Sequence, residues 1–368
     1  MKPQFPIEQT ESGEFQRQED AFREWISNDG STPYPAVVGR YHLYVSLACP
    51  WASRTIIFRK LKGLEEAIGM TIVDPIRDEK GWAFRDPSGE ILPGAPFEST
   101  DPVNRFHFLR EAYKATDPSF DQRVTVPVLW DTETKRIVNN CEDDICRMFN
   151  DVFNEFAKNK DVAGPGKAGQ PLQSERGDAS NQTERRGWAI QPVDATGCPQ
   201  GAERIDFFPK EIEAEHAKLA NFLHDNVNNG VYRAGFATRQ RPYEIACRRL
   251  FEALDELEER LSKSRYLFGN RIVEADWRFF CTLVRFDVVY HGHFKCNLRR
   301  IIDYPNLQEY LMDLYQEPGI ADTVNFDHIK RHYYMTHTEI NPTRIVPLGP
   351  VIDLTQPHGR EKLGVKQK

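Results

Sequence analysis

YHLYVSLACPWASRTIIFRKLKGL, residues 41–64, runs as a strand into a cysteine and from there into a helix. Tyr41 to Leu47 alternates and is rich in β-prone side chains, which predicts a strand. Over 54–63, Ile56, Ile57 and Leu61 recur between Arg and Lys, which predicts a helix. Cys49 falls at the junction and Pro50 follows it. A proline suits the first helical turn, because its missing N–H has no intrahelical partner there anyway. Free amides and the positive end of the helix dipole then face the sulfur, an environment that lowers a thiol pKa and favours the thiolate. Arg54, one turn on, adds positive charge to that expectation. A buried, inert cysteine fits the same local spacing, so the stretch alone leaves both readings open. The fourth motif position is Ala52, not a second cysteine. That disfavours an internal dithiol couple and favours a monothiol that forms a mixed disulfide with a small thiol.

Downstream, GMTIVDP reads as a second strand, and RVTVPVLWD and RIVNN read as a hairpin. EDDICRMFND reads as a helix with its acids in the first turn, where the macrodipole favours them. Strand, helix, strand, hairpin, helix is the order of a thioredoxin-like α/β domain, assigned here to 39–156. Residues 1–38 read as a polar N-terminal extension. Residues 157–205, rich in Gly, Pro, Ser, Gln and charge, read as a mobile insertion or linker. From 206 to 339 the pattern is helical: KEIEAEHAKLANFLHDNV, RPYEIACRRLFEALDELEERLSK, EADWRFFCTLVRFDVVYHGHF and NLQEYLMDLYQEPGI all repeat at helical spacing. The predicted architecture is an α/β domain followed by an all-α domain, with an irregular tail over 340–368.

Composition narrows the function classes. The 368 residues carry a net charge of −7 and no basic block, which argues against a nucleic-acid partner. No apolar run is long enough for a membrane span, and the polar, acidic start does not read as a secretory signal. The seven cysteines are odd in number and scattered, as expected of reduced thiols in the cytoplasm.

CPWA, VTVPVLWD, NNGVYRAGFATRQRPYE, LVRFDVVYHGHFKCN, YQEPGIADTVNFDHIKRHYY and INPTRIVPLGP, in that order, resemble the glutathionyl-hydroquinone reductases, also called Xi-class glutathione transferases. The resemblance covers roughly 35–155 and 205–350. It implies a thioredoxin-like domain fused to a helical transferase domain, and a homodimer. It also implies a reaction in which the Cys49 thiolate attacks the sulfur of a glutathionyl-hydroquinone and a tyrosine protonates the departing ring carbon. A second glutathione then clears the mixed disulfide in a ping-pong cycle. Glutathione is the co-substrate, and no metal, flavin or nicotinamide is expected. On this resemblance Cys49 is the nucleophile and Trp82 packs on glutathione. Arg123, Val124, Thr125 and Val126 hold glutathione through backbone groups, with Pro127 at the position of a cis proline. Tyr232 is the proton donor, and Tyr290 and Tyr333 line the aromatic pocket and help hold the thiolate.

The chain departs from the family pattern twice. The family reads Asn-Glu-Ser after the hairpin, where acid and hydroxyl take the γ-glutamyl amine and carboxylate; here NNCEDD places Cys141 at the acid and Glu142 at the hydroxyl. Glu142 is then expected to serve the amine or to repel the carboxylate. In NRIVEAD, Val273 stands where transferases place a Ser or Thr helix cap, an expected cost of about 0.5–2 kcal/mol.

Other clusters read as structural. Asp287, His291, His293 and Cys296 crowd one segment without a zinc spacing. His328 and His332 are i,i+4 without a metalloprotease Glu and are expected at a helix surface or end. FEALDELEER is expected to present a solvated charged face. Beside the reductase reading stand two others: a transferase acting on a quinone or polyketide intermediate of a specialised pathway, and a non-catalytic binding module, which an activated Cys49 disfavours.

Overall fold

The computed structural model describes residues 4–84, 101–158 and 204–364. Its sheet has the order β2-β1-β3-β4. β1 (Tyr41–Val45) pairs parallel to β2 (Ile68–Ile72) and antiparallel to β3 (Val128–Asp131), and β3 pairs antiparallel to β4 (Arg136–Asn139). All five residues of β1 are buried, as a strand covered on both faces must be. α1 (Pro50–Leu61) and α3 (Glu142–Asp151) pack against each other on this domain. A short helix not anticipated from the sequence, α2 (Leu109–Thr116), begins where the Glu111 carboxylate accepts the N–H groups of His107 and Phe108.

The second half is helical: α4 (Glu213–Leu223), α5 (Gly230–Gly235), α6 (Gln240–Leu261), α7 (Glu274–Arg285), α8 (Pro305–Tyr315) and α9 (Phe326–Thr336). The long periodic segments are broken by π turns at His224–Asn228, just before α5, and at Phe286–Tyr290, just after α7. Such turns re-aim side chains in a way that apolar periodicity does not reveal. α6 buries Phe251, Leu254 and Leu257 while Glu252, Asp255 and Glu256 stay exposed. Its charged face is not purely solvated, because Glu258 accepts the first amides of α8, from Asn306 and Leu307.

The start of α7 corrects the expectation for Val273. Asp276 reaches back to accept the Val273 N–H at 2.9 Å, and the same carboxylate accepts the Leu267 N–H and the Tyr310 hydroxyl. The helix entry is therefore tied down by an acid three residues in, and the missing cap hydroxyl is only half of the account.

The N-terminal stretch, read from composition as a polar extension, lies against the α/β domain. Ile26 and Tyr34 are buried, as is Phe15, whose ring packs on Phe236 just beyond α5. Arg23 makes two bonds to Asp144, Phe22 exchanges bonds with Asn140, and buried Glu8 takes both a nitrogen pair from Arg123 and the Gln18 N–H. The strap also reaches the helical half, where Gly13 accepts from Thr238 and Gln4 from Glu339, so its polarity reflects specific bonds to both halves. The stretch 157–205 lies almost wholly outside the described residues, as does Cys198.

Candidate active site

Cys49 stands as the N-cap of α1 with extended backbone (φ −79°, ψ 121°), and Pro50 opens the helix. The sulfur faces the Ala52 and Trp51 amides, and its thiol donates to the Val126 carbonyl at 3.5 Å. The Val126–Pro127 bond is cis. Burial pushes the thiol pKa up, against the lowering pull of the Ala52 amide, Arg17, Arg285 and the Trp51 amide. This corrects the expectation of a net depressed thiol: the helix terminus acts as foreseen, but desolvation outweighs it.

Arg54 is not part of that field. It is 2% exposed and turned away into a network with Glu142, Asp143 and Glu274, which Arg278 also joins. The network ties α1 and α3 to α7. The cations that act on Cys49 come from distant segments, among them Arg17 on the N-terminal strap, Arg77 and Arg285 at the end of α7, and nothing in the local spacing announces them.

The three tyrosines come together. Tyr232 Oη lies 2.6 Å from Tyr333 Oη, which lies 3.0 Å from Tyr290 Oη. Burial holds all three pKa values above the ordinary phenol value, so each keeps its proton near neutrality. Tyr232 and Tyr333 line the same cavity as Cys49; Tyr290, fully buried, stands behind Tyr333 and is not on that cavity wall. Phe294 packs on Tyr232, and a Cβ on Gly235 would meet its ring at 2.1 Å, so only glycine lets α5 approach it.

Trp82 also lines this cavity, stacked on His332 at 5.0 Å with Arg77 over its face. His332, expected at a helix surface or end, is instead buried in the cavity wall. Its Nδ1–H donates to the Pro75 carbonyl, and burial drops its pKa to about 3, so it is neutral. The stretch 123–126 is largely engaged within the protein. The Arg123 carbonyl accepts from Gln18, the Thr125 amide and carbonyl meet the Tyr113 hydroxyl, and the Val126 carbonyl holds Cys49; Val124 is buried. The Asp287–Cys296 group disperses: Asp287 caps Ile301 and Ile302, His293 meets His337, and Cys296 is buried near Val231.

Phe5, Phe15 and Arg17 of the strap close the Cys49 cavity to about 60 Å³, below the roughly 300 Å³ of a small-molecule site. Phe15, Arg17 and Trp51 also wall a neighbouring cavity of about 590 Å³, with Arg17 4.4 Å over the Trp51 ring. That cavity ends on NNCEDD. Cys141 caps α3, and Glu142 accepts from Arg54 at 2.9 Å. Asp20 of the strap completes the group: its carboxylate, the Cys141 sulfur and the Glu142 carboxylate lie within 4.8 Å of one another. Burial and the Glu142 charge push the Asp20 pKa up to about 7, against Arg17, the Cys141 thiol and Arg23. Burial likewise pushes the Cys141 thiol far up. Asp20 was missed in the sequence because the strap read as a solvated extension.

Comparison with known proteins agrees with this architecture. The family model described as glutathione S-transferase, N-terminal domain, matches residues 48–152, and that for the C-terminal domain matches 229–311. A glutathionyl-hydroquinone reductase of Escherichia coli, YqjG, is 44% identical over 95% of this chain and 93% of its own. PcpF of Sphingobium chlorophenolicum, of the same description, is 40% identical over 92% and 90%. The glutathione-bound structure of YqjG superposes with a TM-score of 0.74 at 43% identity, covering 92% of this chain and 96% of that one. The Xi transferase of Phanerochaete chrysosporium gives 0.75 at 42%, covering 93% and 99%. The fold is thus that of a glutathione transferase, a thioredoxin-like domain followed by a helical one. The chain belongs to the glutathionyl-hydroquinone reductases, the Xi class of that family. The match covers more of the chain than the motifs first recognised.

Proposed function

We propose that this chain reduces glutathionyl-hydroquinones to hydroquinones with glutathione as the reductant. The observation that carries the reading is that Cys49 and the Tyr232 hydroxyl line one cavity, with Tyr232 hydrogen-bonded to a second phenol. Cys49 loses its proton to solvent and its sulfur attacks the glutathionyl sulfur. The S–S bond forms as the ring C–S bond breaks, and the electron pair passes to the ring carbon, which Tyr232 protonates. A second glutathione thiolate then attacks the mixed disulfide, giving oxidised glutathione and the Cys49 thiolate. Substrate entry requires Phe5, Phe15 and Arg17 to move from the Cys49 cavity.

The charges around the two cavities suit a tripeptide with two carboxylates and one ammonium. Arg77, Arg123 and Arg17 stand around the thiol end. At the other end Glu142 is ion-paired with Arg54, which it shares with Asp143 and Glu274, so its repulsion of the γ-glutamyl carboxylate is lessened but not removed. Asp20, next to Cys141, takes the place of the acid that the family carries at that position, and offers the ammonium its partner. Reduced thiols, no helix among the described residues long and apolar enough to cross a membrane, and a cytoplasmic, dimeric enzyme form one consistent reading.

The test is turnover of the glutathionyl conjugate of menadiol with glutathione, for wild type and Cys49→Ala. Release of hydroquinone by wild type alone supports the thiol-transfer cycle. A folded wild type that releases none removes it and brings the specialised-pathway reading forward.

A further inference from the structure

Arg285 ends α7 and is 2% exposed as a residue. Nε donates to the Ala48 carbonyl and Nη2 to the Leu47 carbonyl, each at 2.9 Å. Nη2 also donates to Ser53 Oγ at 2.5 Å, and Nη1 to the Cys281 carbonyl at 2.9 Å. Among the described residues no carboxylate lies within ion-pair distance of it. A buried cation without an anion is costly, and proteins otherwise pair such groups.

Two other buried arginines show what pairing looks like here. Arg54 carries three carboxylates. Arg360 also bonds carbonyls, but that of Leu261 is the last of α6, the negative end of a helix dipole, and that of Ser264 follows just beyond it. Arg285 has the opposite surroundings on the α1 side. It clamps Leu47 and Ala48, the residues that lead into the N-terminus of α1, the positive end. Two positive elements therefore converge on Cys49; Arg285 also faces the Cys281 thiol and the Tyr290 and Tyr333 phenols, all held protonated by burial, and of these groups Cys49 is the one at the helix N-terminus.

We propose that Arg285 is a positioning residue for the nucleophile: it fixes the Leu47–Ala48 turn that presents Cys49 and is the standing counter-ion of the Cys49 thiolate. The thiolate appears twice per cycle, once before attack on the glutathionyl sulfur and once when the second glutathione expels it. Arg285 acts at both points without touching substrate. The inference rests on the thiol-transfer reading only for its place in the cycle; the pairing itself is a property of the free protein. Ser53 and Cys281, which share the guanidinium, are uncharged partners and leave its charge available. Other cations also face the sulfur: Arg17, which belongs to the strap and moves with it, and Arg77 on the same cavity.

The experiment is the pH dependence of Cys49 alkylation by iodoacetamide, followed by peptide mass, in the full chain. Wild type, Arg285→Lys and Arg285→Met are compared, with circular dichroism and Tm as folding checks. The expected result is a midpoint about one unit or more higher in Arg285→Met, and alkylation at pH 7.5 slowed about tenfold. Arg285→Lys keeps the wild-type midpoint within about half a unit even where its turnover falls through lost geometry. If Arg285→Met does not fold, Arg285→Gln removes the charge while keeping amide donors for Ala48 and Leu47. A folded neutral variant with an unshifted midpoint, or a raised midpoint in Arg285→Lys, overturns the proposal. Alkylation needs no quinone, so a wild type inert towards the menadiol conjugate but with a charge-dependent midpoint removes the proposed reaction and leaves Arg285 in place.

Discussion

The Tyr232 hydroxyl lies 2.6 Å from the Tyr333 hydroxyl, so one phenol donates to the other, and Tyr290 extends the chain at 3.0 Å. The phenolate left when Tyr232 gives its proton to a ring carbon is stabilised by the phenol that donates to it, and it regains a proton from the second glutathione thiol or from water at the cavity. Tyr232→Phe is expected to lower kcat for the glutathionyl conjugate by about 10²–10³-fold, the range of a positioned general acid. Tyr290→Phe, one place removed, loses less than tenfold. Exchange on a simple glutathione mixed disulfide expels a sulfur and needs no carbon protonation, so it stays near the wild-type rate in both variants. Equal loss in the two assays would show that Tyr232 serves packing or the thiolate instead.

Free Cys49 is expected to alkylate with a midpoint above the ordinary cysteine value of about 8.5, because burial outweighs the helix terminus and the arginines. The Cys49–Val126 contact gives the second half of this prediction. Opening the strap by Arg17→Ala together with Phe15→Ala wets the sulfur but removes one cation. Its alkylation at pH 8 rises if desolvation is the larger effect, as the structure has it, and falls if the Arg17 charge is.

The α/β half was legible because its signals are local. Alternation marks β1, a proline after Cys49 marks the start of α1, and acids in the first turn mark α3, which runs Glu142–Asp151 as read. The tyrosines were legible through long family motifs, and their mutual contact was not, since Tyr232, Tyr290 and Tyr333 stand on three separate segments. What the sequence concealed is whatever depends on distant parts meeting. Arg54 has the spacing to serve Cys49, yet Glu274, 220 residues away, takes it. His332 looks like a surface histidine until Trp82 stacks on it. Asp20 has no local signal at all; it matters because the strap carries it to Cys141.

The network around Arg54 joins the two halves of the chain through Glu274, which is 0% exposed. Arg54→Met leaves Glu142, Asp143 and Glu274 to Arg278 and His216, and strands buried negative charge. The expected cost is about 3 kcal/mol, read as a lower urea midpoint. Replacing Glu274 by Gln in the same variant is expected to recover part of the loss. An unchanged midpoint in Arg54→Met would mean that the remaining cations suffice.

Asp276 accepts from Val273, Leu267 and Tyr310 at once. Asp276→Ala leaves two buried N–H groups and a hydroxyl without their acceptor, at about 1–3 kcal/mol each before any relaxation. The variant is expected to lose roughly 3 kcal/mol or more by urea denaturation. A loss under about 1 kcal/mol would show that Val273 is not held by this carboxylate.

Asp20 gives a pH dependence with a definite sign. Its folded pKa, about 7, lies above the model carboxylate value of 3.8 because of burial and Glu142. A raised acid contributes stability that is fully present below its unfolded pKa and is lost as pH rises through the folded one. The loss here falls between about pH 4 and pH 7, as the Asp20 carboxylate becomes an anion beside Glu142 with only Arg17, Arg23 and the Cys141 thiol to offset it. Asp20→Asn lacks the titration, so its Tm relative to wild type is expected to be higher at pH 8 than at pH 5. A bound γ-glutamyl ammonium acts the other way, since it favours the ionised carboxylate. The wild-type KM for glutathione is therefore expected to fall between pH 6 and pH 8 by severalfold, while that of Asp20→Asn stays flat and higher. N-acetylglutathione, which has no ammonium, separates the two sources: it should not distinguish wild type from Asp20→Asn. If it does, Asp20 acts on the shape of the strap and not on the amine.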